Sequence, residues 1–191
     1  MCPVKLLFKF LIFGTFFCTP MLAEITHYSI EGNLAPKINP GCITMSESVA
    51  SLNPADLALG ILECHKNDDI VKALDMFWVM KFRAFFDSKR VNDESAGAAL
   101  GMLQTELFRI TGEKFFNKMQ NLLDQDSETF FNRLCTTMKA LGPPVYYPEY
   151  MILHGMNAFL GIEGDGLKPD FKINIEWNKI LKNELNCKKE N

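Results

Sequence analysis

The sequence has little of what conventional catalysis uses. It holds only three histidines, His27, His65 and His154. It lacks a Gly-x-Ser-x-Gly elbow, a phosphate-binding loop and a dinucleotide fingerprint. Those absences exclude the common motif-borne hydrolases, nucleotide enzymes and nicotinamide or flavin enzymes. No Cys-x-x-Cys or His-Glu-x-x-His occurs, and the cysteine spacings are long, so neither a zinc site nor any other cofactor is expected. The turn at 161–166 has two acids among its glycines but not the spacing of a calcium loop.

Long apolar runs and basic charge are scarce too. The leading apolar stretch, 10–18, is shorter than the ~20 residues of a membrane-spanning helix, and no second long one follows. The formal charge is −3. The only Lys-rich region, 179–189, is diluted by Glu184 and several Asn, so nucleic acid is not an expected partner.

What is present begins with residues 1–23. Lys5 gives a positive start, an apolar run follows, and Met-Leu-Ala precedes Glu24. That is the layout of a secretory signal peptide. Cys18 follows Phe16 and Phe17, whereas a lipidation signal wants a small residue there. The expected mature chain is 24–191, exported to a periplasm or secreted, with its charge taken from −3 to −5 by loss of Lys5 and Lys9. Nothing in it fixes an oligomeric state.

Of the six cysteines, Cys42, Cys64, Cys135 and Cys187 survive cleavage. An even number in an exported chain favours disulfides. Three pairings are open. The preferred one joins Cys42 to Cys64, clipping an arm to the first helix, and Cys135 to Cys187, tying the last helix to the body.

Residues 24–51 contain Gly32, Pro36, Pro40 and Gly41 and read as an extended arm, with a short strand around 27–30. Residues 52–191 read as an all-α domain, a compact bundle of about seven short helices. Asn53-Pro54 caps and starts the first, over 55–65. A second is expected over 69–87, a third over 93–110, then 112–123 and 127–141, the last capped at Ser127. Gly142-Pro143-Pro144 stops the series. A sixth helix should start at Pro148 and reach the glycines of 161–166. Asn174 should cap a final one with Trp177, Ile180, Leu181 and Leu185 on one face.

In the first pair, Leu57, Gly60, Cys64, Ala73, Phe77 and Met80 stand at spacings that resemble one tetratricopeptide-type helical hairpin. The likeness covers about 30 residues, holds Ile61 at a position the motif keeps small, and does not repeat. It implies close packing of two antiparallel helices.

The second helix carries Lys72, Asp75, Arg83 and Asp87 on one side. Ala73, Leu74, Phe77, Trp78, Phe82, Ala84 and Phe85 fill the other, taken as the core side. Lys81 falls within that apolar side. It should snorkel along Trp78 and Phe85, or pair with Glu63 or Glu106 if buried. Arg83, Asp87 and Arg90 should form a solvated turn, with a partner-binding loop as the second reading. On a helix from Pro148, Tyr150, His154 and Asn157 share a narrow polar face, with Tyr146 and Tyr147 just upstream. Such a group suits hydrogen-bonded core, a binding surface, or acid–base chemistry at His154.

Two functions are therefore expected. The first is an exported, non-catalytic protein that binds another protein, as an adaptor or as an inhibitor of the immunity type. Its binding residues would be Tyr146, Tyr147, Tyr150, His154, Asn157, Arg83 and Arg90. The second is a small exported hydrolase using His154 with Tyr150 and an acidic partner.

Overall fold

The structure is a computed structural model, and it describes residues 30–187. The leader and residues 27–29 of the expected strand lie outside them. Eight α-helices follow a stretch of turns at 30–53: α1 (Pro54–Lys66), α2 (Ile70–Arg90), α3 (Ala99–Thr111), α4 (Glu113–Gln125), α5 (Ser127–Leu141), α6 (Glu149–Ile152), α7 (Asn157–Leu160) and α8 (Ile173–Asn183). There is no strand among the described residues, only one isolated bridge between Val91 and Leu167. The all-α expectation holds. No helix among the described residues is long and apolar enough to cross a membrane.

The start of α1 is a capping box. The Asn53 side chain accepts the Asp56 N–H at 3.0 Å, and Asp56 Oδ2 accepts the Asn53 N–H at 2.9 Å. Asp56 Oδ1 also accepts the N–H groups of Lys37 and Ile38, at 2.6 and 2.8 Å. One carboxylate thus starts the helix and pins the chain that runs over it. Asp69 caps α2, after a turn in which Asp68 takes a left-handed φ of 51°.

The expected α1–α2 hairpin forms, and Gly60 sits where Met76 of α2 and the turn at 40–41 press on α1. A Cβ there would lie 2.1 Å from Met76 Cε and 2.8 Å from the Gly41 carbonyl oxygen. The cysteines pair as preferred, Cys42 with Cys64 and Cys135 with Cys187. Closing loops of 22 and 52 residues disfavours the unfolded chain by roughly 3–4 kcal/mol each.

Four local expectations need correction. Helix α5 is capped by Asp126, whose side chain accepts the Thr129 N–H, and not by Ser127. The third helix begins as a 3₁₀ turn, Glu94–Ala98, because Asp93 caps Ser95 and holds the chain there. Asn174 lies inside α8 and caps nothing; the Lys172 carbonyl accepts the Glu176 N–H to start that helix.

The fourth concerns the sixth helix, which breaks into α6 and α7. Ser95 Oγ takes the Met156 N–H at 2.8 Å, and Asp93 Oδ2 takes the Asn157 N–H at 2.7 Å. A continuous helix would send both to carbonyls four residues back. Gly155 fits the gap, since a Cβ there would lie 2.3 Å from Asp93 Oδ2.

Glycine substitutions separate close packing from helix propensity. Gly60→Ala should cost about 1–3 kcal/mol in denaturant unfolding, from overpacking against Met76 and Gly41. Gly101→Ala meets nothing within 4 Å and should stabilise α3 by about 0.5–1 kcal/mol.

Candidate functional site

Helix α2 is buried on more of its surface than expected: Ala73, Leu74, Phe82 and Ala84 lie in the core as the apolar side should, but most of the charged side does too. Asp75, Arg83, Asp87 and Arg90 are buried, while Phe77, Trp78, Lys81 and Phe85 reach the surface in part. The reason is that every buried charge has partners on another segment. Asp75 takes a two-pronged bond from Arg133 of α5, at 2.7 and 2.8 Å. The Arg83 guanidinium donates to the carbonyls of Ser48, Val49 and Leu52, the turn that leads into α1. Unpaired, each would be too costly to hold inside.

Asp87 is the densest point. Its Oδ1 accepts from Arg90 Nε at 2.8 Å and pairs with Arg90 Nη2 at 2.7 Å. Its Oδ2 accepts the hydroxyls of Tyr146 and Tyr150, both at 2.8 Å. Arg90 also donates to the Tyr146 carbonyl and lies over the rings of Phe86 and Tyr146. Burial pushes the Asp87 carboxyl up, with Arg90 and the two hydroxyls pulling against it. Burial, then the charge of Asp87, holds both tyrosines well above their ordinary range, so they remain donors. The expected solvated turn at Arg83, Asp87 and Arg90 is therefore corrected. It is a sealed polar core, and Arg83, Arg90 and Tyr150 present almost nothing to solvent.

The remaining tyrosine and histidine positions diverge. Tyr147 is exposed, and its hydroxyl donates to the Asp165 carbonyl at 2.7 Å. His154 is half-buried, with Nδ1 2.9 Å from Asn33 Oδ1, and burial lowers its pKa. The Asn157 backbone is held by Asp93. The break between α6 and α7 disperses the polar face expected for Tyr150, His154 and Asn157. No described carboxylate hydrogen-bonds His154, and no group of His, Cys, Asp and Glu among the described residues could hold a metal ion.

The outward side of α2 forms the wall of a groove of about 570 Å³. Trp78, Lys81, Phe82 and Phe85 come from α2, Leu100 from α3, and Phe131, Asn132 and Cys135 from α5. The strap after α8, residues 184–186, closes one side, held down by the Cys135–Cys187 disulfide. The size lies within the range of ordinary ligand sites. Trp78 meets Phe131 edge-on at 4.9 Å, and the Lys81 ammonium stands 4.4 Å over the Trp78 ring. Lys81 therefore snorkels. Glu63 pairs with Lys66 and Glu106 with Arg109, and no described carboxylate lies within ion-pair reach of Lys81.

The sequence reading singled out Lys81 but not the groove around it. The available signal was that α2 has aromatic residues on the face opposite its charges, more than one core contact needs. Comparison with protein-family models, curated proteins and solved structures finds no match for this chain.

Two substitutions should separate the core cluster from the groove. Asp87→Ala leaves Arg90 buried without its carboxylate, with only the Tyr146 carbonyl to accept from it, and should cost about 3–5 kcal/mol in chemical unfolding. Lys81→Met removes one half-exposed cation–π contact and should change stability by less than about 1 kcal/mol. His154 should make stability pH-dependent. Its folded pKa lies below the ordinary 6.5, so the unfolded chain takes up the proton first. Stability should fall as pH drops below about 6.5 and level off below the folded value. Thermal unfolding of His154→Asn across that window should show a shallower fall.

Proposed function

We propose that the chain is an exported, non-catalytic protein that binds another protein through the groove beside the Cys135–Cys187 disulfide. One observation carries this. Helix α2 buries Asp75, Arg83, Asp87 and Arg90 and leaves three aromatic side chains, Phe77, Trp78 and Phe85, partly exposed. Half-exposed aromatic rings in a concave site are the usual anchors of a partner's side chains. The leader-like residues 1–23 and the two disulfides support export. An adaptor or an inhibitor of the immunity type both fit.

A hydrolase built on His154 and Tyr150 has less behind it. Tyr150 is sealed against Asp87, and His154 points to Asn33. No observation favours that reading.

Two measurements test the proposal. A photo-crosslinking side chain at Asn132, on the groove, should give a discrete protein adduct in the cells that make the chain. Phe85→Glu should abolish the adduct while leaving the disulfides intact. No adduct, or one indifferent to Phe85→Glu, contradicts the binding reading. N-terminal sequencing of the released protein should begin at Glu24; a start at Met1 contradicts export by cleavage.

A further inference from the structure

Three charges line the groove with no ion-pair partner among the described residues: the half-buried Lys81 and the exposed Glu128 and Glu184. Glu128 lies in the first turn of α5 and Glu184 on the strap after α8, so the two acids come from separate elements. A half-buried ammonium against an aromatic ring has lost part of its hydration, and no described carboxylate neutralises it. The groove thus carries one half-buried cation and two solvent-exposed acids.

Resting on the groove being the docking site, we infer that its occupant is an apolar segment of another protein with one carboxylate in its middle and basic residues flanking it. Apolar side chains would cover Trp78, Phe85 and Phe131, the carboxylate would meet Lys81, and the flanking bases would meet Glu128 and Glu184. Charge complementarity of this kind sets partner choice and register more than raw affinity.

A second copy of the chain fits poorly. Its most prominent exposed apolar turn, with Phe159, Leu160 and Ile162, is followed by Glu163 and Asp165. Those would set two acids against a groove whose two exposed charges are already acids.

The test uses the disulfide-bonded chain and four fluorescent amphipathic helical peptides of one apolar pattern. One has a central Glu and Lys at both ends. The second has the reverse charges, the third has Gln at the centre with Lys ends, and the fourth is neutral. Anisotropy titration at fixed salt should rank the first tightest and the reversed one at least tenfold weaker. A triple variant, Lys81→Glu with Glu128→Lys and Glu184→Lys, should invert that order, with unchanged far-UV circular dichroism confirming that it folds. Equal affinities for all four peptides, abolished by Phe85→Glu, would overturn the charge pattern and leave the groove as the docking site. Binding unaffected by Phe85→Glu would overturn the groove itself. Absence of binding by every peptide would overturn the charge pattern, with the crosslink at Asn132 deciding the groove separately.

Discussion

The structure depends on the row of buried charges along α2. Asp75, Arg83, Asp87 and Arg90 lie one or two helical turns apart, and together they are tied to three other parts of the chain. Asp75 holds α5. Arg83 gathers three carbonyls of the turn before α1. Asp87 and Arg90 hold the segment between α5 and α6. These links cross 31 to 63 residues of sequence. Removing a single partner would leave a charge stranded in a dry interior, which is among the costliest single changes a fold can suffer. The polar row therefore sets the rotation of the longest helix, and that helix packs on most of the others.

With the charges of α2 buried as well as Phe82 and Phe86, Phe77, Trp78 and Phe85 are left only partly covered. Phe77, Trp78 and Phe85 then need neighbours. Phe116 of α4 meets Phe77, and Phe131 of α5 meets Trp78, yet a concavity remains between α2, α5 and the strap after α8. The Cys135–Cys187 bond holds that strap in place, so the second disulfide shapes the groove as well as stabilising the fold. The groove follows from the core arrangement, with its aromatic wall supplied by the helix at the centre.

Local features were legible in the sequence because their physics is local. Asn53-Pro54 with Asp56 starts α1 through bonds that span three residues. The stripe of Trp177, Ile180 and Leu181 is buried as helical spacing requires. The burial of the α2 charges was not legible, because a count of apolar positions assigns charge to solvent. It cannot register that Ser48, Tyr146 and Tyr150 supply partners from far along the chain. The break between α6 and α7 was hidden for the same reason, since Ser95 and Asp93 act on it across 61 and 64 residues. The candidate site was half visible. Lys81 stood out as a charge among aromatics, whereas Arg83, Arg90 and Tyr150 belong to the core.

The chain's two tryptophans report on the orientation of α2. Trp78 lines the groove, and Trp177 is buried under Phe86. Acrylamide quenching of native Trp177→Phe, in which Trp78 alone fluoresces, should be strong. Quenching of Trp78→Phe, which leaves Trp177, should be weak until the protein is unfolded. Protection of Trp78 as complete as that of Trp177 would contradict the account, because it would place the aromatic side of α2 in the core.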